Sequence, residues 1–168
     1  MDLSWLTEST IKATHSALAD HVDPTPVWPL RSLSKQFGLD LHANLELFQR
    51  TGTFKARGAF NVIRHLTLDQ LKRGVTAVSG GNHAVAVAYA ARELGTTAKV
   101  VMPSTANSRR RELCAQYGAE VVIEPDIKSA FAKVNQIKDR LKGKKAALIV
   151  CGANIDVGSY QKHMETTP

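Results

Sequence analysis

The sequence predicts an α/β fold, a parallel sheet flanked by helices, and three observations lead there. Beyond residue 55, short β-rich runs alternate with stretches whose apolar residues recur at helical spacing. Turns rich in Gly, Pro, Asn and Asp separate them. Successive strands are divided by single helices, which imposes right-handed crossovers and parallel pairing. With 168 residues and a hydrophobic fraction of 43%, the chain can form one domain with a core of its own.

In chain order, the clearest early break is Asp23-Pro24-Thr25-Pro26, because a residue that precedes proline is pushed away from the helical region. An extended apolar run then meets the turn Thr51-Gly52-Thr53, and a helix is expected over about 56–65. Val75-Thr76-Ala77-Val78 reads as a strand, Ser79-Gly80-Gly81 as a glycine turn, and the Ala-rich stretch over about 83–94 as a helix. The alternation continues with a strand at 98–102, a helix at 108–117, a strand at 120–123, a helix at 126–141 and a strand at 146–150. No internal repeat or low-complexity linker interrupts it.

Two segments carry candidate chemistry. Lys55 follows the Thr-Gly-Thr turn on a helix's first turn, where the macrodipole opposes a positive charge. Desolvation and a cationic neighbour such as Arg57 would push the same way, towards the neutral amine that attacks carbonyls. A solvated lysine that merely begins a helix has the same local sequence. The second segment, Ser79-Gly80-Gly81-Asn82-His83, places unhindered backbone N–H groups at a helix N-terminus, a site suited to a carboxylate or phosphate. An ordinary βα turn, with Asn82 as N-cap and the glycines at positive φ, reads equally from these residues.

Taken together, Gln49 through Ala59 and Ser79 through Ala91 resemble the pyridoxal-phosphate enzymes of the serine/threonine dehydratase family, which share the tryptophan-synthase-β fold. The resemblance extends to Thr25-Pro26, to Ala98-Lys99-Val100-Val101-Met102-Pro103, to Tyr117-Gly118-Ala119-Glu120-Val121 and to Cys151-Gly152-Ala153-Asn154. It implies pyridoxal 5'-phosphate as cofactor and β-elimination from L-threonine or L-serine, giving a 2-oxo acid and ammonia. Lys55 would hold the cofactor as a Schiff base and then remove the substrate's Cα proton. Phe54 would lie under the cofactor ring and Asn82 would bind the ring hydroxyl. Ser79, Gly80, Gly81, Asn82 and His83 would hold the substrate carboxylate. Cys151 would face the pyridine nitrogen; a thiol of ordinary pKa, about 8.5, is mostly neutral at pH 7 and does not force protonation there.

Departures from the family pattern are informative. Relatives that racemise serine carry a second serine where this chain has Gly80, which has no proton to exchange, so racemisation is the less expected activity. Asn44 stands where many relatives have lysine. The family's glycine-rich phosphate loop, three or four glycines and a Leu, has no counterpart, since the longest glycine run is Gly80-Gly81. The chain therefore resembles a shortened member. It is expected to be a single α/β unit over 1–168, with a small-domain-like βα series at about 48–143 and remnants of a larger domain at 1–47 and 144–168. A catalytically impaired member that binds an anion or a partner is the alternative.

Composition narrows the remaining classes. Cys114 and Cys151 are too few for a disulfide framework or zinc cluster, and the six histidines form no metal-spaced pair. No apolar run approaches the roughly 20 residues that span a bilayer, and no leader-like segment opens the chain, so a cytoplasmic protein without a membrane partner is expected. The net charge of +7 raises nucleic acid as a partner, but the densest cluster, Arg109-Arg110-Arg111, is brief, lacks interleaved aromatics and is followed by Glu112. It reads as a solvated face. The glycine pattern fits neither common nucleotide-binding motif. A small amino-acid substrate and, by the family resemblance, a homo-oligomer are the expected partners.

Overall fold

The structure, a computed structural model, describes residues 7–139 and 148–150. Helix α1 (Glu8–Leu18) begins with a reciprocal cap: Thr7 Oγ1 accepts the Thr10 N–H at 3.2 Å and Thr10 Oγ1 accepts the Thr7 N–H at 3.0 Å. Strands β1 (Val27–Pro29) and β2 (His42–Asn44) pair antiparallel, with Val27 opposite Asn44 and Trp28 opposite Ala43. Helix α2 (Arg31–Phe37) connects them and stops at Gly38, whose φ of 64° suits glycine. A 3-10 turn (Glu46–Phe48) leads to α3 (Lys55–Ile63) and α4 (Leu68–Arg73).

The alternating part follows: β3 (Val75–Val78), α5 (Asn82–Glu93), β4 (Ala98–Pro103), α6 (Ser108–Gln116), β5 (Glu120–Glu124), α7 (Ile127–Asp139) and β6 (Leu148–Val150). These strands form one parallel sheet in the order β5-β4-β3-β6, so the α/β fold with helices against a parallel sheet is present.

The two-residue period of β3 sorts the helices between the faces of the sheet. Val75 and Ala77 join the main core with residues of α3, α5 and α6, while Val78 packs with Val101 of β4 and with Ala130 and Val134 of α7. Helix α5 is buried from His83 to Ala91. Its Ala-rich sequence follows from that burial, because small side chains let α3 and the sheet approach closely on both sides. Helix α3 buries Ala56, Ala59, Phe60 and Ile63, the spacing of one helical face. Aromatic contacts lace the layer together. His21 stacks on Phe60 at 4.7 Å between centroids, Phe60 meets Tyr89 edge-on at 5.5 Å, and Tyr89 lies 5.2 Å from Tyr117.

Between residues 65 and 75 the structure adds one helix to those expected from the sequence. Helix α4 was unexpected: six residues are too few to display a helical period. Its start was nevertheless written in Thr67 and Gln70, whose side chains cap each other's backbone N–H groups. The strand expected at 146–150 is described over 148–150, where Leu148 pairs with Thr76 and Val150 with Val78. These three residues, which the resemblance assigns to a larger domain, run along β3 in the same sheet. Among the described residues no helix is long and apolar enough to cross a membrane.

Candidate active site

The first group of candidate residues surrounds the start of α3. Gly52 turns the chain at φ 69°, and the buried Thr53 directs its Oγ1 to the Lys55 N–H at 3.0 Å. Phe54 occupies the N-cap position without capping the helix through its own side chain. Lys55 is the first residue of α3, as expected, and its Nζ lies 4.7 Å from the centroid of the Phe54 ring. The ring face attracts the ammonium and helps to fix it. Phe54 itself is 56% exposed, so its ring is accessible to a planar partner.

Arg57 was expected to act on Lys55 as a cationic neighbour, with no partner assigned to it. The structure corrects this. Its guanidinium grips Glu46 in a two-pronged pair, Nη2 to Oε1 at 2.8 Å and Nε to Oε2 at 3.0 Å. Hydrogen bonding from Arg57 holds the Glu46 carboxyl below its ordinary value, with Thr25 adding to it against the cost of burial, and Arg57 is raised in turn by Glu46. Around this pair, Asn44 Nδ2 donates to Glu46 Oε1 at 3.2 Å, and the Thr25 hydroxyl lies within reach of both Glu46 Oε1, at 2.5 Å, and Asn44 Oδ1, at 2.8 Å. Asn44 therefore supplies a neutral donor to Glu46 and leaves Arg57 as its cationic partner. Sequence reasoning missed this group, because Glu46 and Arg57 are eleven positions apart and only folding pairs them. The presence of both charges within the Lys55 segment was the available signal.

A second linkage joins the same region to α5. The buried Gln49 pins Asp23, accepting its N–H at 3.0 Å and donating to its carbonyl at 2.8 Å. Arg50 reaches the Asp23 carboxylate at 2.9 Å, the Asp20 carbonyl at 3.2 Å and the Tyr89 hydroxyl at 3.3 Å. Asp23 is held below its ordinary carboxyl value by Arg50, and Arg50 is raised by Asp23 and Tyr89.

The second group of candidates is the loop between β3 and α5. Ser79 continues the ladder through its N–H to the Val101 carbonyl at 3.1 Å, and its Oγ accepts the Gly81 N–H at 3.1 Å. The Ser79 hydroxyl proton is thus left to donate outward, while the Gly81 N–H is already engaged. Gly81 is the N-cap and Asn82 the first helical residue, so Asn82 does not cap α5. Neither Gly80 nor Gly81 adopts positive φ, which overturns that explanation of the glycines. A Cβ at Gly80 would meet Pro103 Cγ at 3.5 Å, an ordinary contact. No side chain caps α5, so its first-turn N–H groups and dipole form a setting receptive to an anion. The Asn82 side chain is half-buried and makes no hydrogen bond among the described residues, whereas His83 is buried.

The two groups stand at the starts of α3 and α5, and these helices pack along each other. Cys151 lies outside the described residues; Val150 before it is paired with Val78, the residue that precedes Ser79. The amine and the Phe54 ring fit the aldehyde and ring of pyridoxal phosphate, and the uncapped loop fits a carboxylate. No glycine run for a phosphate occurs in the sequence.

Comparison with known proteins gives a consistent set. The family model described as pyridoxal-phosphate dependent enzyme matches residues 18–163. Phenylserine dehydratase from Ralstonia pickettii is 48% identical over 130 residues, which are 77% of this chain and 40% of that protein. Human serine racemase is 36% identical over 137 residues, 79% of this chain and 40% of the relative. Maize serine racemase superposes with a TM-score of 0.74 at 33% identity, covering 84% of this chain and 42% of the other. The chain thus spans about two fifths of the length of these relatives.

Proposed function

This chain belongs to the pyridoxal-phosphate dependent enzyme family, and on that premise we propose that it serves β-elimination of the hydroxyl from L-threonine, L-serine or a related 3-hydroxy amino acid. The observation that carries the proposal is an amine on the first turn of α3 together with an uncapped, anion-receptive turn at the start of α5, the helix packed against α3.

Each residue has a defined task. Lys55 Nζ would hold the cofactor and, once released by the substrate's amino group, would accept the Cα proton. The Ser79 hydroxyl, fixed by the Gly81 N–H, donates to the substrate carboxylate, which also faces the positive end of the α5 dipole. Asn82 would hold the ring oxygen of the cofactor and Phe54 would support its ring, and the family resemblance gives Cys151, outside the described residues, as the partner of the pyridine nitrogen. When bound, the cofactor supplies an aldehyde for the amino group and a ring that delocalises the electron pair left at Cα. The β-hydroxyl leaves as water, and the released enamine takes up water to yield the 2-oxo acid and ammonia. The same reading assigns 48–143 to a small-domain-like series and the flanks to a larger domain, and it makes the active species a cytoplasmic homo-oligomer.

Gly80 separates elimination from racemisation. Neither positive φ nor lack of space demands glycine there, so the missing hydroxyl removes an acid/base group without a structural reason. The test is to incubate the full chain and cofactor with L-threonine, L-serine and L-threo-phenylserine, measuring 2-oxo acid, ammonia and D-amino acid. Release of 2-oxo acid and ammonia in equal amounts without D-amino acid is the expected result. D-serine as the main product would overturn elimination. Absence of any turnover by the folded chain would favour the second reading, a non-catalytic anion-binding or interaction module, for which the missing glycine run and the exposed Trp28 and Phe48 speak.

A further inference from the structure

The start of α3 is poorly stabilised by its own sequence. Its first turn carries Lys55 and Arg57 and no acidic residue, and its N-cap residue provides no side-chain cap. Two cations at the positive end of a helix dipole favour fraying. Within this turn, Thr53 Oγ1 accepts the Lys55 N–H. The main lateral restraint comes from Arg57. Its guanidinium is held by both oxygens of Glu46, and its Nη2 also reaches the Asp23 carbonyl at 3.3 Å and the Thr25 hydroxyl at 3.4 Å.

We propose that Glu46 and Arg57 are positioning residues that lock the first turn of α3 and thereby fix the direction of the Lys55 amine. The pair is mostly shielded, with side-chain exposures of 16% for Glu46 and 30% for Arg57, and its two-pronged geometry fixes orientation as well as distance. Asp23 makes the lock continuous with the body of α5. Its carbonyl receives Arg57 and Gln49, its carboxylate receives Arg50, and Arg50 in turn donates to Tyr89 in the body of α5. A change at Glu46 therefore releases the Lys55 turn while the buried body of α5 keeps its own packing.

This inference rests on Lys55 being the cofactor-bearing amine, and its test separates the two claims. Backbone hydrogen exchange of the full chain without cofactor is compared between parent, Glu46→Gln and Arg57→Lys. Amides of residues 55–58 are expected to exchange about tenfold faster in both variants, with those of 85–91 unchanged. With cofactor and borohydride, the share of label on Lys55 relative to other lysines is expected to fall by about fivefold in both variants, while Glu46→Asp recovers part of it. Unchanged exchange at 55–58, or uniform acceleration through α5, overturns the positioning role. Should Glu46→Gln fail to fold, Arg57→Lys, which keeps the cation and loses the fork, decides by the same criteria. A parent chain that never fixes the cofactor on Lys55 refutes the functional proposal and leaves the exchange result to judge the lock.

Discussion

Lys55 is placed by its neighbours more than by its own side chain: Thr53 receives its N–H, Phe54 lies beneath its ammonium, and Arg57 ties its turn to Glu46. Of these, Glu46 gives a prediction about pH. Its folded-state carboxyl is held below the ordinary value of 4.5 by the hydrogen bond from Arg57. A lowered carboxyl contributes stability that is fully present above its unfolded value and is lost as pH falls through the folded one. The difference in melting temperature between parent and Glu46→Gln is therefore expected to be largest near pH 7 and to shrink below about 4.5 as the carboxylate is protonated. A difference that stays constant across thermal melts from pH 7 to pH 3 contradicts the pairing. The position of Lys55 at the start of a helix and the turn at Ser79-Gly80-Gly81 were legible in the sequence because each sits in a local turn-to-helix pattern. The Glu46–Arg57 pair was not, because its members come together only when α3 packs beside the 3-10 turn.

Among the elements, the β3–α5 unit was the most legible. A β-branched run, two glycines and an Ala-rich helix were all readable, and the structure adds which residue caps the helix: Gly81 rather than Asn82. Backbone position, not residue preference, decides this, since Asn82 already has helical placement. The β1–β2 pair was hidden, because three-residue strands do not express a two-residue period. The junction between α4 and β3 shows an element boundary fixed by a single glycine. Gly74 has φ 81° and ψ 177°, a region essentially confined to glycine. A Cβ there would also collide with Thr97 Oγ1 and come within 2.9 Å of the Thr97 carbonyl oxygen, which accepts the Val75 N–H at 2.8 Å. Gly74→Ala is expected to lower stability by about 1–3 kcal/mol in urea unfolding, with the loss shared by the start of β3. A variant as stable as the parent would show that this turn relaxes without cost.

At the scale of the whole molecule, the alternation of strands and helices foretold a parallel sheet, whereas the order β5-β4-β3-β6 depends on which edges meet in space and is not encoded in any local pattern. Helices α3 and α5 pack against each other in the main core, and the amine at the start of one with the uncapped turn at the start of the other underlies the proposal that Lys55 carries the cofactor. The most direct test is to add pyridoxal phosphate to the full chain, reduce with borohydride, digest and locate the added mass by peptide sequencing. The expected result is a single dominant modification on Lys55, in the peptide that contains Phe54 and Ala56. Modification spread over the lysines according to their exposure, with no preference for Lys55, would contradict the account.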